Sequence, residues 1–143
     1  GSDCLPLLAM YAGAGVTLGH NFPFYMNFKG GKGIAVMAGL VAANSFWCLP
    51  ESLLMIPVTL AFFRVAVIIS RYISVGSLMA YTAFLIEMIL AGQRGMLDME
   101  PARLYELYIL LFLMTALAFY RHRANIGRLM SGTENKFGAK KKE

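Results

Sequence analysis

The chain has 143 residues, of which 58% are hydrophobic and 15% are charged, with 13 Lys and Arg against 8 Asp and Glu. Average soluble domains are about 45–50% apolar and about 25% charged, so the composition points away from a soluble enzyme and towards a polytopic membrane protein. Cys4 and Cys48 lie apart in apolar runs. They predict neither a disulfide nor a metal site.

Five apolar runs follow in chain order, at 4–19, 34–50, 52–70, 75–91 and 104–120. A membrane-spanning helix needs about 20 residues, with a range of about 17–25, and most of these runs reach that length only with their flanks. Backbone groups in lipid must bond within their own segment, so helices are expected. Pro50 and Pro57 bracket a turn and a helix start, and Pro101 marks another start. We therefore predict an all-α transmembrane bundle with about five membrane helices, forming one integral membrane domain over 1–143 with a basic tail at 137–143.

The basic residues concentrate on one side of this predicted bundle. Simple alternation of helices puts 20–33, 71–75 and 121–143 together, and these segments hold ten of the 13 basic residues. The loop 92–103 on the other side balances its two arginines with two acidic residues. Cytoplasmic loops of membrane proteins are enriched in Lys and Arg. The charge distribution predicts that the basic side is cytoplasmic.

The first polar motif is KGGKG, at Lys29–Gly33. Glycines allow close approach of backbone N–H groups to a ligand, and the apolar run that begins at Ile34 predicts a helix N-terminus there. Helix N-termini bind anions, so phosphate is the expected ligand. A Walker loop is excluded, because it would need glycine at Met26 and serine or threonine at Gly33. The alternative is a flexible turn whose lysines only fix topology.

The second motif is HRANIGRLMSGTENK, residues 122–136. His122, Asn125 and Arg128 recur every three residues, which places them along one face of a helix. These polar side chains could face an active centre. The alternative is a basic juxtamembrane helix that touches anionic headgroups, although it accounts poorly for His122, Asn125 and Glu134.

The third motif is SRYISVGS, residues 70–77, which separates two apolar runs with almost no polar spacer. Gly76, with Ser74 and Ser77, could mark a helix break at the cytoplasmic edge, where irregular backbone must be buried or line a wet cavity. The alternative is a plain turn. Familiar catalytic patterns, such as His-Glu-x-x-His, Gly-x-Ser-x-Gly and His-x4-Asp, do not occur. The sequence thus offers phosphate-binding parts and no evident general base.

Together the motifs GHNFPFYMNFKGGKGIA, SRYISVGS and HRANIGRLMSGTENK resemble the bacterial acyl-phosphate:glycerol-3-phosphate acyltransferase family. The resemblance covers essentially the whole chain. It implies an integral enzyme of the cell membrane that moves a fatty acyl group from acyl phosphate to the 1-hydroxyl of glycerol 3-phosphate, giving lysophosphatidic acid for phospholipid synthesis. The implied partners are these two substrates and the lipid bilayer. Neither a metal, a cofactor nor a nucleic acid is expected.

The resemblance also implies the residues of the site. His122 and Asn125 are the expected catalytic residues. The expected phosphate- or substrate-binding residues are His20, Asn21, Gly30, Gly31, Lys32, Gly33, Ser74, Arg128 and Glu134. Phe22 and Phe28 correspond to aromatic anchors of the first motif.

One family motif has no counterpart in this chain. Family members have seven membrane helices, and a motif resembling Gly-Ser-Gly-Asn-x-Gly-Ala-x-Asn-x-x-Arg follows the first of them and contributes a serine and an arginine to the site. We therefore expect the chain to begin inside the third family helix, as a fragment or a reduced paralogue. By itself it is expected to insert in membranes and to give little acyl transfer.

A second class of function fits the same polar residues, namely a non-catalytic membrane subunit or transporter that binds a phosphorylated metabolite. Arg64 and Glu87 both fall inside apolar runs, where ionisable residues are costly and often functional. Their predicted depths are similar, and a structural ion pair between them is the preferred interpretation.

Overall fold

The structure, a computed structural model, describes residues 5–47 and 51–138. Within these residues it is all-helical, with no strand, as predicted. The helices are α1 (Leu5–Asn21), α2 (Ile34–Trp47), α3 (Met55–Ser70), α4 (Ile73–Gln93), α5 (Pro101–Arg121) and α6 (Arg123–Met130), with 3₁₀ turns at Phe24–Met26 and Glu51–Leu54. Cys4, Cys48, Pro50 and residues 139–143 of the basic tail lie outside the described residues.

The five longer helices correspond to the five apolar runs, but they differ in length. Helices α4 and α5 each have 21 residues and are apolar enough to cross a bilayer. Helices α2 and α3 are apolar but shorter. The 16 residues of α3 extend about 24 Å at about 1.5 Å per residue, against a hydrocarbon core of about 30 Å. Within residues 5–47 and 51–138, two of the roughly five predicted membrane helices are therefore long enough by themselves to span the bilayer.

Helix α4 lies at the centre of the bundle, with α3 on one side and α5 on the other, while α1 packs against both α2 and α5. Met10, Met88 and Leu107 are fully buried where these helices meet. Large apolar side chains also cover the outside, and Ile68 and Ile69 of α3 are 72% and 79% exposed. Such an outer surface is favourable in lipid and unfavourable in water.

The break between α3 and α4 is shorter than the sequence predicted. It consists of Arg71, which has left-handed backbone (φ 66°), and the extended Tyr72. Ser74, Gly76 and Ser77 lie in the first turns of α4 rather than in the break. Gly76 serves close packing against α3, because a Cβ there would lie 2.4 Å from Cγ2 of Val67. The expectation of a break at Gly76 was therefore wrong.

Candidate active site

The glycine-lysine loop is held in place by the end of α5. The guanidinium of Arg121 donates hydrogen bonds to the carbonyls of Gly30 (2.8 Å) and Gly31 (3.0 and 3.2 Å). The same guanidinium lies over the ring of Phe22, 4.9 Å from its centroid. Arg121 was not among the predicted site residues, because in the sequence it is only one of several basic residues that follow the last apolar run.

Gly33 is the point at which the loop enters α2. Its φ is +80°, a conformation that favours glycine, and its carbonyl accepts the first bond of the helix from Met37 N (2.9 Å). A Cβ on Gly33 would lie 2.8 Å from the hydroxyl of Tyr81 and 3.4 Å from Oδ1 of Asn21. Helix α2 thus begins at Ile34 as predicted, over buried side chains of α1 and α4.

A chain of hydrogen bonds runs from the loop to the C-terminal motif. Lys32 Nζ donates to Asn125 Oδ1 (2.6 Å), and Asn125 Nδ2 donates to Glu134 Oε1 (2.6 Å). The same carboxylate also accepts hydrogen bonds from Ser74 Oγ (3.0 Å) and from Arg128 Nε (2.6 Å). Hydrogen bonds therefore connect three segments that are far apart in the sequence: the loop at Lys32, the start of α4 at Ser74 and the C-terminal motif.

Glu134 lies beyond α6, so helical spacing could not predict its position. The helix ends at Met130, and Gly132 takes left-handed backbone (φ 70°), which turns the chain back. As a result the Glu134 side chain is only 7% exposed, while its partner Arg128 is 44% exposed. The carboxylate organises the donors around it.

His122 lies at the junction of α5 and α6 and is buried. Its Nδ1 is 2.8 Å from the carbonyl of Ala118. A carbonyl can only accept, so the neutral ring carries its proton on Nδ1 and Nε2 is the acceptor nitrogen. Burial, and secondarily the charge of Lys32, lowers the pKa of His122 below its ordinary value, although the Ala118 hydrogen bond and Glu134 oppose the shift. The imidazole is therefore neutral at pH 7.

Two charged groups of the site also have shifted pKa values. Desolvation lowers the pKa of Lys32, although Glu134 opposes that effect. Desolvation acts to raise the pKa of Glu134, but hydrogen bonds from Asn125, Arg128 and Ser74 outweigh it and the pKa is lowered. Glu134 therefore stays ionised at neutral pH and gives the basic groups around it a local counter-charge.

A pocket of about 450 Å³ lies at the basic end of the bundle, beside the hydrogen-bond chain described above. Of the predicted site residues, Lys32, Ser74, His122, Asn125 and Glu134 line it. The other seven lining residues were not among the predicted site residues: Ile34, Ile73, Ser77, Asn135, Lys136, Phe137 and Gly138. The C-terminal segment covers the pocket, and its Phe137 N donates to Arg71 O (2.6 Å) at the α3–α4 break.

The other predicted site residues lie around this pocket rather than in its lining. His20 is exposed and its ring rests on Gly31, where a Cβ would lie 2.0 Å from His20 Nε2. Asn21 is fully buried beside Gly33. Gly30 and Gly31 contribute their carbonyls to Arg121. Arg128 reaches the site through Glu134.

The expected ion pair between Arg64 and Glu87 does not form in the described part of the chain. Arg64 is exposed, and Glu87 Oε2 instead accepts a hydrogen bond from Thr59 Oγ1 (2.8 Å). Across residues 5–47 and 51–138 no group of three or more His, Cys, Asp and Glu side chains is placed to hold a metal ion.

The fold and the pocket together define an integral membrane helix bundle with a polar, predominantly basic site at one end. Residues 3–132 match the sequence model of the family described as glycerol-3-phosphate acyltransferase. The chain belongs to this family.

Relatives of this family extend over nearly the whole chain. The chain is 36% identical over 149 residues to a glycerol-3-phosphate acyltransferase of Chlorobaculum tepidum, covering 93% of this chain and 60% of the relative. It is 40% identical over 137 residues to a glycerol-3-phosphate acyltransferase of Shouchella clausii, and this match covers 94% of this chain and 60% of the relative. The chain thus spans about 60% of the length of the curated relatives it matches.

Two solved structures share the fold. They are crystal structures of PlsY (YgiH), an integral membrane glycerol 3-phosphate acyltransferase, in a glycerol 3-phosphate form and in a lysophosphatidic acid form. Each superposes with a TM-score of 0.70 at 30% sequence identity and covers 90% of this chain. The chain covers 56% and 57% of those two chains.

Proposed function

We propose that the protein transfers a fatty acyl group from acyl phosphate to the 1-hydroxyl of glycerol 3-phosphate, which gives lysophosphatidic acid. The observation that carries this proposal is the pocket in which Lys32, Ser74 and His122 meet from three separate segments. The relatives named glycerol-3-phosphate acyltransferase, and the PlsY structures in glycerol 3-phosphate and lysophosphatidic acid forms, support the choice of substrates.

Both substrates carry a phosphate, and the pocket offers groups that bind one. Lys32 and Lys136 line it and supply positive charge. The N-terminus of α2 follows the glycine loop directly, and the first N–H groups of a helix can bind an anion. Ser74 and Asn125 add neutral hydrogen-bonding groups. The glycines Gly30, Gly31 and Gly33, with His20 and Asn21, shape the loop that presents these donors.

Acyl phosphate is an activated donor, so alignment and charge stabilisation carry most of the catalysis. The oxygen of the glycerol 1-hydroxyl attacks the acyl carbonyl carbon and forms the ester C–O bond, and the bond from that carbon to the phosphate oxygen breaks. Holding the two groups in contact can contribute about 7–11 kcal/mol. Donors such as Lys32 and Asn125 stabilise the negative charge that develops on the carbonyl oxygen.

The hydroxyl proton has two candidate acceptors. In the substrate-assisted route it passes to an oxygen of the departing phosphate, and the protein provides no base. In the second route it passes to Nε2 of His122, which is the acceptor nitrogen of a neutral imidazole. We favour the substrate-assisted route, because the lowered pKa of His122 makes it a weaker base.

We propose the cell membrane as the location, with the pocket and the C-terminal segment on the cytoplasmic side. The loop before α2, the α3–α4 break and the segment after α5 all contribute residues to one end of the bundle. That end carries most of the basic residues, which supports a cytoplasmic assignment.

A product assay tests the function directly. Membranes that contain the protein translated from the complete reading frame are incubated with acyl phosphate and labelled glycerol 3-phosphate. We expect labelled lysophosphatidic acid to form in proportion to the protein, and acyl coenzyme A not to replace acyl phosphate. Saturable binding of glycerol 3-phosphate without any ester would contradict the acyltransferase proposal and favour a non-catalytic subunit or transporter.

A further inference from the structure

Three buried polar side chains meet at Gly33, where the glycine-lysine loop enters α2. A Cβ on Gly33 would lie 2.8 Å from the Tyr81 hydroxyl, 3.3 Å from the Thr17 methyl and 3.4 Å from Asn21 Oδ1. Asn21 is fully buried, and Thr17 and Tyr81 are 2% and 3% exposed. These three side chains do not line the pocket. They form a separate cluster behind the loop, which we call the Gly33 cluster.

The polar atoms of the Gly33 cluster have no hydrogen-bond partner among residues 5–47 and 51–138. These atoms are Thr17 Oγ1, Tyr81 Oη and both Nδ2 and Oδ1 of Asn21. A buried polar group without a partner is costly, and buried side-chain polar atoms are normally paired with protein or ordered water. Four such atoms in one cluster point to a bound group that both donates and accepts hydrogen bonds.

The chemistry of the cluster selects a small neutral ligand. Hydroxyl and amide groups both donate and accept, and none of the three side chains is charged. Lys32 precedes Gly33, but its ammonium is directed to Asn125 (2.6 Å). A phosphate would bring a charge into this interior without a counter-charge. A water molecule meets the requirement, since buried waters typically make about three hydrogen bonds to otherwise unpaired groups.

The cluster connects two helices to the base of the loop. Ser77 and Tyr81 lie one helical turn apart on α4, so one face of this helix contributes Ser77 to the pocket and Tyr81 to the cluster. The other two cluster residues lie one turn apart on α1. Arg121 holds the preceding part of the loop through its carbonyls, so the cluster is a second support, at the residue that follows Lys32.

We propose that the Gly33 cluster binds one water molecule, shared by the Thr17 and Tyr81 hydroxyls and the Asn21 amide, and that this hydrated cluster positions Lys32 by fixing the backbone at Gly33. The three residues are positioning residues. In its effect on substrate, this inference rests on the proposed acyltransferase function.

Removing one hydroxyl from the cluster should weaken substrate binding without slowing the chemistry. Tyr81→Phe is measured in the protein translated from the complete reading frame. We expect KM for glycerol 3-phosphate to rise about fivefold, the usual contribution of one neutral hydrogen bond, with kcat nearly unchanged. Tyr108→Phe is the matched control, because its hydroxyl contacts the carbonyl of Ile89 (3.3 Å), away from the loop. Its KM should equal that of the unmodified protein.

A triple variant separates positioning from stability. T17V/N21L/Y81F replaces every polar group of the cluster by an apolar group of similar shape, and such replacements can leave stability unchanged. We expect its thermal midpoint to match that of the unmodified protein while KM stays raised. An unchanged KM would overturn the positioning role and leave the acyltransferase function standing. If the unmodified protein forms no lysophosphatidic acid, the proposed function is wrong, and the next two measurements still test the cluster.

Amide hydrogen exchange tests the positioning role without turnover. The Met37 amide donates to Gly33 O in the first turn of α2 (2.9 Å), so its exchange reports how firmly this turn is held. We expect Tyr81→Phe to speed this exchange about fivefold, and Tyr108→Phe to leave it unchanged. An equal increase throughout α1 and α4 would mean that the cluster only holds the helices together, and would overturn the proposal.

A crystal structure of the protein translated from the complete reading frame, at a resolution that shows waters, identifies the ligand. We expect a water oxygen within about 2.7–3.2 Å of Tyr81 Oη and of the Asn21 amide. A direct hydrogen bond between the Tyr81 and Asn21 side chains, with no water beside them, would overturn the water site.

Discussion

At the scale of single residues, Lys32 is the cation that joins the glycine loop to the C-terminal motif. Its half-buried ammonium donates to Asn125, and desolvation lowers its pKa. We predict that Lys32→Met lowers kcat/KM for glycerol 3-phosphate by about 10²–10³, the usual loss when one donor to developing charge is removed. Lys29→Met is the control, because Lys29 is exposed on the same loop. Equal kinetics in both variants would mean that Lys32 only fixes topology.

The C-terminal motif contains neighbouring residues with opposite surroundings. His122 and Asn125 are buried and line the pocket, whereas Arg123 is exposed and covers the ring of Tyr120, 4.2 Å from its centroid. We predict that His122→Ala and Asn125→Ala each reduce kcat/KM by at least about tenfold, since each removes a buried hydrogen-bonding group worth about 1–3 kcal/mol. Arg123→Ala should stay close to the unmodified protein. Similar losses in all three variants would indicate a diffuse contact with headgroups.

The pH dependence of the reaction tests the role of His122 as a base. Its folded-state pKa is lowered, so the neutral imidazole predominates above the ordinary value of about 6.5 and is lost as pH falls through the lowered pKa. If His122 accepts the proton, kcat/KM should be flat near neutrality and fall only below about pH 6.5. A substrate phosphate also titrates near about pH 6, so His122→Gln is measured in parallel. We predict that the acid limb persists in this variant, as the substrate-assisted route requires; its disappearance would identify His122 as the base.

At the scale of structural elements, the end of α5 fixes the loop that precedes α2. Arg121 makes three hydrogen bonds to the carbonyls of Gly30 and Gly31 and stacks on Phe22. Lysine cannot reproduce this planar, forked arrangement. We predict that Arg121→Lys raises KM for glycerol 3-phosphate by about tenfold or more, because hydrogen bonds to charged groups contribute about 1.5–3 kcal/mol.

Arg123→Lys, two residues away on the surface, is the control for that substitution. Arg121 is a positioning residue, so the effect should appear in KM more than in kcat, with the thermal midpoint of the bundle nearly unchanged. A fall in thermal stability with unchanged KM would assign Arg121 a purely structural role.

Most of the helices could be predicted from the sequence. Helices α2 and α5 begin at Ile34 and Pro101 as expected, because apolar runs between polar loops determine where a membrane helix can lie. The position of the α3–α4 break was not accessible. Serine and glycine indicate turns in water, but Gly76 is required here by the close approach of Val67 across the two helices, which is a tertiary contact.

At the scale of the whole molecule, the sequence predicted which segments form the site better than how they form it. Lys32, Ser74 and His122 do meet in one pocket. Asn125 and Arg128 lie on α6 and both donate to Glu134, as a shared helix face allows. Helical spacing did not predict that the chain turns back after Met130 and brings Glu134 to them. Arg121 and Tyr81 were missed, because their contacts with the loop depend on how α4 and α5 pack, and no local pattern marks them.

The orientation of the bundle is the last testable consequence of this arrangement. The end that holds the pocket also carries Lys32, Arg71, Arg121 and Lys136, and the opposite end carries the loop 92–103, where acidic residues balance the arginines. Membrane insertion retains Lys- and Arg-rich segments on the cytoplasmic side. The proposed phosphorylated substrates are charged and do not cross a bilayer freely, so under the proposed orientation they reach the site from the cytoplasm.

Single cysteines report this orientation when Cys4 and Cys48 are first replaced by serine. Ser131→Cys lies at the pocket end and Gln93→Cys at the opposite end, and both positions are exposed. We predict that a membrane-impermeant maleimide labels Gln93→Cys in intact cells and labels Ser131→Cys only after the membrane is opened. Labelling of both in opened membranes controls for reactivity. The reverse pattern would place the pocket outside the cell and contradict the proposed access of glycerol 3-phosphate from the cytoplasm.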